Sequence, residues 1–195
     1  MPDYVIDEKR LWLGGYLAGG DKATIYPELW DWFVDDLSVE NVLDVGCGEG
    51  HALQHFRQRG CTVLGFDGIN QPDPMIVEWD FTGGAPPEWD VGQVDLVWCC
   101  EFVEHVEERY VPNFLATFEA AEMVAMTHAM PGQPGHHHVN NQPPSYWKGA
   151  LAAIGFSYDH ALTMEAREYA ALNRNPVNHF VRSGLVFRQS ADPSL

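Results

Sequence analysis

The segment Asp44-Val45-Gly46-Cys47-Gly48-Glu49-Gly50 carries the strongest chemical signal in the chain. Glycines between a strand and a helix let the backbone turn sharply and approach a ligand closely. Their spacing here is GxGxG, whereas a dinucleotide site has GxGxxG and a helix N-terminus that faces a pyrophosphate. Asp44 would repel a phosphate but would attract a cationic aminoacyl group. The pattern therefore predicts a ligand with an ammonium and a sulfonium, and it disfavours an NAD-dependent oxidoreductase.

Two further carboxylates follow at the ends of later apolar runs. Asp67 ends the second run, where an acidic side chain can accept hydrogen bonds from both hydroxyls of a ribose. Asp80 and Phe81 end the third run, which puts a carboxylate and an aromatic ring within reach of an adenine. Each residue alone also suits a turn or a helix cap. Their order at successive strand ends favours an adenosyl site.

Several histidines follow predicted strands, and histidine is the natural general base near neutral pH. His105 comes after the fourth strand and His128 after the fifth, and residues 136–138 form a run of three histidines in the loop beyond. His105 also suits local packing at a helix entry, and the loop also suits a solvated turn. Because a loop of this length inside a compact domain is often functional, His105 and His137 are the predicted catalytic residues.

The run of three histidines also raises the question of a metal site. Imidazole is a good ligand for zinc, nickel or copper. Side chains of consecutive residues in an extended loop diverge, so His136, His137 and His138 do not easily share one ion. We therefore expect no bound metal ion.

Apolar periodicity and turn residues divide the chain into alternating strands and helices. Predicted helices cover residues 27–37, 48–59, 107–120, 145–154 and 163–175. Predicted strands cover residues 41–45, 62–66, 75–79, 94–99, 123–127, 156–160 and 180–188. This order predicts an α/β fold, a three-layer sandwich around a mostly parallel seven-stranded sheet that ends in an antiparallel hairpin.

The first 40 residues are rich in aromatic side chains and are predicted to form a helical cap, followed by one ligand-binding domain over residues 41–195. Trp12, Tyr16 and the helix over 27–37 suit a lid over the ligand. Ordinary packing across the sheet edge is the other interpretation of these residues, and we favour it. At 195 residues the chain fits a single domain.

Composition and charge limit the classes of partner. Twenty-eight acidic and eleven basic residues give a formal net charge of −17, and the basic residues are scattered. Such a surface repels phosphate backbones, so we expect no nucleic-acid partner. The four cysteines form no CxxC pair, no secretory signal is visible, and no apolar stretch is long enough to span a bilayer. A cytoplasmic protein with reduced thiols and no membrane partner is expected.

Taken together, these motifs resemble those of the class I methyltransferases that use S-adenosylmethionine (SAM). The resemblance runs from about residue 41 to residue 188 and includes LDVGCGEG, Asp67, Asp80-Phe81 and the stretch VDLVWCCEFVEHV at 94–106. That last stretch is similar to the fourth-strand region of small-molecule methyltransferases. The resemblance implies SAM as cofactor, held by the following residues: Asp44, Gly46, Gly48, Asp67, Gly68, Asp80 and Phe81.

The function that follows is methyl transfer to a small polar acceptor, such as a hydroxyl of a sugar or another metabolite. A hydroxyl needs a base, which the histidines supply. Cys99-Cys100-Glu101-Phe102 stands where a DNA amino-methyltransferase would carry an Asn-Pro-Pro-Tyr-type motif, so DNA bases are disfavoured. The alternative is a SAM-binding regulatory or scaffold subunit without turnover of its own. The sequence does not indicate an oligomeric state.

Overall fold

A computed structural model describes residues 3–86 and 93–190 of the chain. A small antiparallel pair near the N-terminus consists of β1 (Tyr4–Val5) and β2 (Tyr16–Leu17). Within the described residues, seven further strands form one sheet: β3 (Asn41–Val45), β4 (Thr62–Asp67), β5 (Ile76–Glu78), β6 (Val94–Cys99), β7 (Ala121–Met126), β8 (Phe156–Tyr158) and β9 (Leu185–Gln189). The α-helices are α1 (Pro27–Asp35), α2 (His51–Gln58), α3 (Val111–Phe118), α4 (Pro144–Ala153), α5 (His160–Ala170) and α6 (His179–Ser183).

The large sheet has the strand order β5-β4-β3-β6-β7-β9-β8. The first five strands in this order are parallel, and β9 runs antiparallel to both β7 and β8. The predicted mostly parallel sheet with a terminal antiparallel hairpin is therefore confirmed. Chain order reverses between β3 and β6, and open parallel sheets bind ligands outside the carboxyl ends of the strands at such a point.

Helices cover both faces of this sheet, which gives the three predicted layers. One face packs against α1, α2 and α5 through buried side chains such as Phe33 and Phe56. The other face packs against α3 and α4 through residues such as Phe118 and Trp147. Strands covered on both faces are mostly apolar, and β3 and β6 fit this pattern apart from Asn41, Asp44 and Asp95.

The first helix belongs to the core rather than to a lid. Pro27 occupies its first turn, where a missing N–H is harmless, and its apolar face is fully buried. Tyr26, just before it, donates its hydroxyl to the Ala23 carbonyl and accepts a hydrogen bond from the Phe180 N–H at 3.0 Å. Residues 27–35 are thereby fixed against the C-terminal part of the chain, as the packing interpretation expected.

The segment predicted as a strand over 180–188 needs correction. Residues His179–Ser183 form α6, and the strand begins only at Leu185. The Asn178 side chain caps the helix by accepting from the Val181 N–H at 3.0 Å, which the apolar pattern alone did not reveal. The ring of Phe180 stacks on Trp98 in the core.

Other predicted bounds differ at their ends. The helix predicted over 48–59 begins at His51, because the glycine turn continues to Gly50. The helix predicted over 107–120 is a 3₁₀ turn followed by α3, since Pro112 sits in the first turn of the α-helix. The helix predicted over 163–175 covers His160–Ala170, because Asp159 caps it and the strand before it ends at Tyr158.

None of the four cysteines forms a disulfide. Across residues 3–86 and 93–190, no helix combines the length and the apolar character that crossing a bilayer requires.

Candidate functional site

The carboxyl ends of β3, β4 and β6 open into one cavity of about 350 Å³. This volume lies in the range of about 300–1,000 Å³ that small-molecule sites occupy. Its walls come from the glycine turn after β3, the segment after β6, the N-terminal segment of residues 4–24, and the histidine-bearing loop of residues 131–143. The predicted cofactor residues and several histidines therefore meet in one place.

The glycine turn requires backbone conformations that other residues rarely adopt. Gly46, Gly48 and Gly50 have φ values of 78°, 51° and 76°. The turn is fastened to the neighbouring strand because the Gly46 and Cys47 N–H groups both donate to the Phe66 carbonyl, at 2.8 and 3.1 Å. A side chain at Gly46 would also overlap the ring of Phe102. Glycine at 46 thus allows both the turn and the close approach of the segment after β6.

Asp67 stands at the end of β4 with its carboxylate facing this turn. One oxygen accepts from the Gly48 N–H and the other from the Ile69 N–H, both at 2.9 Å. Burial raises the pKa of Asp67, and the two backbone donors oppose that rise. Gly68 follows in the cavity wall, where a Cβ would lie 2.7 Å from a methyl of Leu13. The carboxylate is held rigidly and still has lone pairs for ligand hydroxyls.

Asp44 lies beneath the same turn and is only 3% exposed. Burial, and then the negative charge of Asp67, raise its pKa well above the usual value. Two buried carboxylates side by side are unfavourable unless a cation joins them. A ligand with an ammonium or a sulfonium would relieve this repulsion, so the residues present fit SAM.

Asp80 and Phe81 follow β5 and also line the cavity. The Asp80 carboxylate accepts from the Thr82 N–H and from the indole N–H of Trp12, both at 2.8 Å. Phe81 is 4% exposed and packs edge-on against Phe66 and other rings of the core. Both residues line the cavity, with Phe81 presenting only a small part of its ring.

The N-terminal segment covers the cavity and joins the histidine-bearing loop. The imidazole of His136 bonds to the Gly14 carbonyl at 2.8 Å and stacks on Tyr4 with ring centroids 3.9 Å apart. The imidazole of His137 bonds to the Trp12 carbonyl at 2.9 Å. The two segments therefore close over the cavity as one cover.

Glu101 and His179 form a charged pair that lines the cavity. Glu101 has an unusual φ of 53° and receives hydrogen bonds from Thr127 at 2.9 Å and from His179 Nδ1 at 2.8 Å. The other ring nitrogen of His179 faces Asp21 at 3.3 Å. Burial would lower the pKa of His179, but the two carboxylates outweigh burial and raise its pKa to about 9. His179 is thus an imidazolium at neutral pH.

This pair predicts a pH dependence of stability. Because the pKa of His179 is higher in the folded protein, its contribution is complete below about pH 6.5 and is lost as the pH rises through about 9. We expect the free energy of unfolding to fall by about 1–3 kcal/mol over this interval. In His179→Gln, the free energy of unfolding should fall less between about pH 6.5 and 9 than it does in wild type. Urea unfolding at a series of pH values measures this difference. An equal fall in the variant would show that another group is responsible.

Of the two histidines that were predicted to be catalytic, one lines the cavity and the other does not. His105 lines the cavity, and burial followed by the neighbouring His138 lowers its pKa to about 4, so its ring is neutral. His137 is absent from the lining because its ring turns to the Trp12 carbonyl, and His138 faces the cavity instead. His128 is 1% exposed and packs in the core.

Sequence reasoning missed three residues that lie in or beside the cavity, namely Glu101, Glu104 and His179, and it chose His137 rather than His138 from the histidine run. Glu104 is completely buried. The spacing E-x-x-E-H at 101–105 was visible and was used only as a family marker. No local pattern pointed to His179, which reaches the site from a helix at the other end of the chain.

Comparisons with known proteins agree with this geometry. The sequence profile of a methyltransferase domain family matches residues 22–161, well over half of the chain. A ubiquinone biosynthesis O-methyltransferase of Pseudomonas entomophila (strain L48) is 31% identical over 147 residues, which is 69% of this chain and 59% of that protein. For the first two curated relatives, the matched region spans 36% and 59% of their length.

Two solved structures share the fold at low sequence identity. Magnesium protoporphyrin IX methyltransferase from Synechocystis PCC 6803 with bound SAM superposes with a TM-score of 0.57 at 15% identity, over 96% of this chain and 86% of that chain. A 1,6-didemethyltoxoflavin N1-methyltransferase from Burkholderia thailandensis, with S-adenosylhomocysteine bound, superposes with a TM-score of 0.54 at 14% identity. This match covers 86% of this chain and 80% of that chain. With its glycine turn, its strand-end carboxylates and the profile match over most of its length, the chain belongs to the class I SAM-dependent methyltransferases.

Proposed function

We propose that this protein transfers the methyl group of SAM to a hydroxyl of a small-molecule acceptor. The observation that carries the proposal is one continuous cavity that is lined both by the Asp67 carboxylate and the glycine turn and by His105 and His138. Methyl transfer is an in-line displacement at a sulfonium, so a donor and an acceptor must share such a cavity.

At the donor end, the carboxylates complement the charge and the sugar of the cofactor. We assign Asp67 to the ribose hydroxyls and Asp44 with Gly46 and Gly48 to the aminoacyl end of the cofactor. Gly68, Asp80 and Phe81 are assigned to its adenine side. Carboxylate hydrogen bonds to hydroxyls are charge-assisted and therefore strong. SAM supplies an electrophilic methyl group when it is bound, and the chain supplies its position.

At the acceptor end, two imidazoles face the cavity. Their ring centroids are 5.2 Å apart, and each Nδ1 bonds to a backbone carbonyl, that of His137 for His105 and that of Gln133 for His138. Each Nδ1 is thus the donor, which leaves each Nε2 as an acceptor. A hydroxyl that enters here meets two nitrogens able to take its hydrogen, so the pair activates the acceptor.

Two considerations support a small hydroxylated acceptor over other classes. The curated relatives carry the name of O-methyltransferases, which favours oxygen as the methylated atom. The net charge of −17 disfavours a nucleic acid, because a phosphate backbone would be repelled. The cavity volume of about 350 Å³ must hold the cofactor and the reacting group together, which also favours a small acceptor.

The assay that tests this proposal offers matched acceptors with SAM. A phenol, a sugar and an amine of similar size are each incubated with SAM, and proton NMR follows the new methyl signal and S-adenosylhomocysteine. We expect an O-methyl signal from a hydroxyl acceptor and none from the analogue that lacks that hydroxyl. Tight SAM binding without product from any acceptor would favour the regulatory subunit, and an N-methyl product would contradict the assignment of oxygen.

Replacement of the cavity histidines should affect turnover and spare the cofactor. We expect His105→Ala and His138→Ala each to lower kcat by about 10²-fold or more, because acceptor activation is lost. The SAM dissociation constant should change by less than about threefold. His137→Asn is the matched comparison, since asparagine tolerates its φ of 52°, and its loss of turnover should be much smaller. Full turnover in both alanine variants would refute the role of the pair.

A further inference from the structure

Glu104, His105 and His138 lie together at the edge of the cavity, and their potential ligand atoms are all within 4.8 Å of one another. We propose that these three side chains bind a divalent first-row transition-metal ion such as zinc. Two imidazoles and one carboxylate form a common donor set for such ions, with coordination positions left for water or substrate. This proposal departs from the expectation from sequence of no metal, which considered only the consecutive histidines 136–138.

The Glu104 carboxylate is the first observation that points to a cation. The residue has 0% exposure, and neither carboxylate oxygen accepts a hydrogen bond from any part of the chain that the structure describes. Buried charges in proteins are normally paired or bound to metals, so this carboxylate lacks its counterpart.

The orientation of the two imidazoles is a second and independent observation. His105 Nδ1 is 3.2 Å from the His137 carbonyl, and His138 Nδ1 is 3.3 Å from the Gln133 carbonyl. A histidine that binds a metal usually donates its other ring N–H to a carbonyl or carboxylate in this way. Both Nε2 atoms are therefore free to act as ligands.

The backbone brings the three residues together although they are far apart in sequence. The Glu104 carbonyl accepts from the Val139 and Asn140 N–H groups at 2.9 and 3.0 Å, which fixes the loop directly beside Glu104. A side chain at Gly135 would overlap the His138 imidazole, so glycine leaves room for the ring. Zinc binds nitrogen and oxygen ligands at about 2.0–2.2 Å, so the three side chains, whose ligand atoms lie within 4.8 Å of one another, would close around the ion when it binds.

A cation at this position would touch both the protein and the acceptor. His105 and His138 line the cavity, whereas Glu104 lies behind them, so the open coordination positions would face the cavity. A metal-bound hydroxyl has a lowered pKa, and the cation would then activate the acceptor in place of a free imidazole. This catalytic role rests on the proposed function, whereas binding of the ion does not.

The test measures metal binding without acceptor or turnover. Metal-free protein is titrated with Zn²⁺ by calorimetry and with Co²⁺ by visible absorption, and its thermal unfolding is followed with and without Zn²⁺. We expect one ion per chain, visible Co²⁺ bands, and a rise in Tm of about 5–10 °C at Zn²⁺ about 100 times its dissociation constant. Absence of stoichiometric binding by the folded protein would overturn the proposal.

Three variants identify the ligands. Glu104→Gln keeps the shape of the buried side chain and should lower Zn²⁺ affinity by about 100-fold or more, as should His138→Asn. His137→Asn removes an adjacent imidazole that faces Trp12, and it should keep wild-type affinity. Unchanged affinity in Glu104→Gln, or an equal loss in all three variants, would overturn the assignment.

Thermal unfolding of the metal-free variants also separates a ligand from a structural carboxyl group. If Glu104 is a metal ligand, the metal-free wild-type protein contains a buried negative charge that no cation balances. Glu104→Gln removes that charge, so the metal-free variant should unfold at the same temperature as metal-free wild type or at a higher one. A Tm lower by several degrees in the metal-free variant, together with no response of wild type to Zn²⁺, would mean that Glu104 is a protonated core residue and would overturn the site.

Discussion

Replacement of Gly46 by alanine should weaken SAM binding by at least about tenfold and destabilise the fold by about 2–5 kcal/mol. The φ of 78° alone costs an L-residue about 1–2 kcal/mol. The new methyl would also overlap Phe102, whose Cβ would be 2.5 Å away, and such overpacking typically costs a further 1–3 kcal/mol. The new methyl would push the glycine turn and the segment after β6 apart. Because both of them line the cavity, this displacement should disturb the cofactor site directly.

The chain offers a matched control for this substitution. Gly60 has a φ of 90°, but a Cβ at that position would meet no atom within 4 Å. Gly60→Ala should therefore show the backbone strain of about 1–2 kcal/mol without the overlap, and its SAM affinity should equal that of wild type. Urea unfolding and calorimetric SAM titration of both variants give the comparison. Equal affinities in the two would mean that the turn does not contact the cofactor.

Substitution of Asp67 by asparagine should lower SAM affinity by about 1–3 kcal/mol, which is roughly 5- to 150-fold. Asparagine keeps the size of the side chain but loses the charge that strengthens hydrogen bonds to the ribose hydroxyls. It also offers only one acceptor oxygen, whereas the carboxylate accepts from Gly48 and Ile69 with its two oxygens. Calorimetric titration with SAM measures the loss.

Asp95 provides the control for Asp67. One of its carboxylate oxygens accepts from the N–H groups of Glu40 and Asn41, both at 2.8 Å, at the opposite edge of the same sheet. Asp95→Asn should therefore destabilise the fold about as much as Asp67→Asn does, because each variant loses a carboxylate that accepts two backbone N–H groups. It should leave SAM affinity unchanged. If both variants bind SAM as wild type does, Asp67 does not contact the cofactor.

The fold and the donor end of the site were accessible from the sequence because their signals are local. The apolar runs define buried parallel strands, and the glycine spacing with its acidic neighbours identifies the cofactor turn. Errors arose where tertiary contacts override the local pattern. Phe180 is apolar enough for a strand, yet Asn178 caps a helix there and the Tyr26 hydroxyl holds its N–H.

The acceptor end was less accessible because it depends on long-range contacts. His137 and His138 are adjacent and chemically identical in the sequence, and only the carbonyls of Trp12 and Gln133 decide which ring faces the cavity. Glu104 acquires its significance from its burial and from the loop that folds over it. Neither fact has a signature in residue spacing.

Calorimetric titration of the folded protein with SAM, and with S-adenosylhomocysteine as competitor, tests the central claim most directly. We expect one cofactor per chain, competition at the same site, and an affinity that falls in Asp67→Asn but not in Asp95→Asn. A folded protein that takes up neither compound would contradict the assignment of the cavity to SAM and every role derived from it.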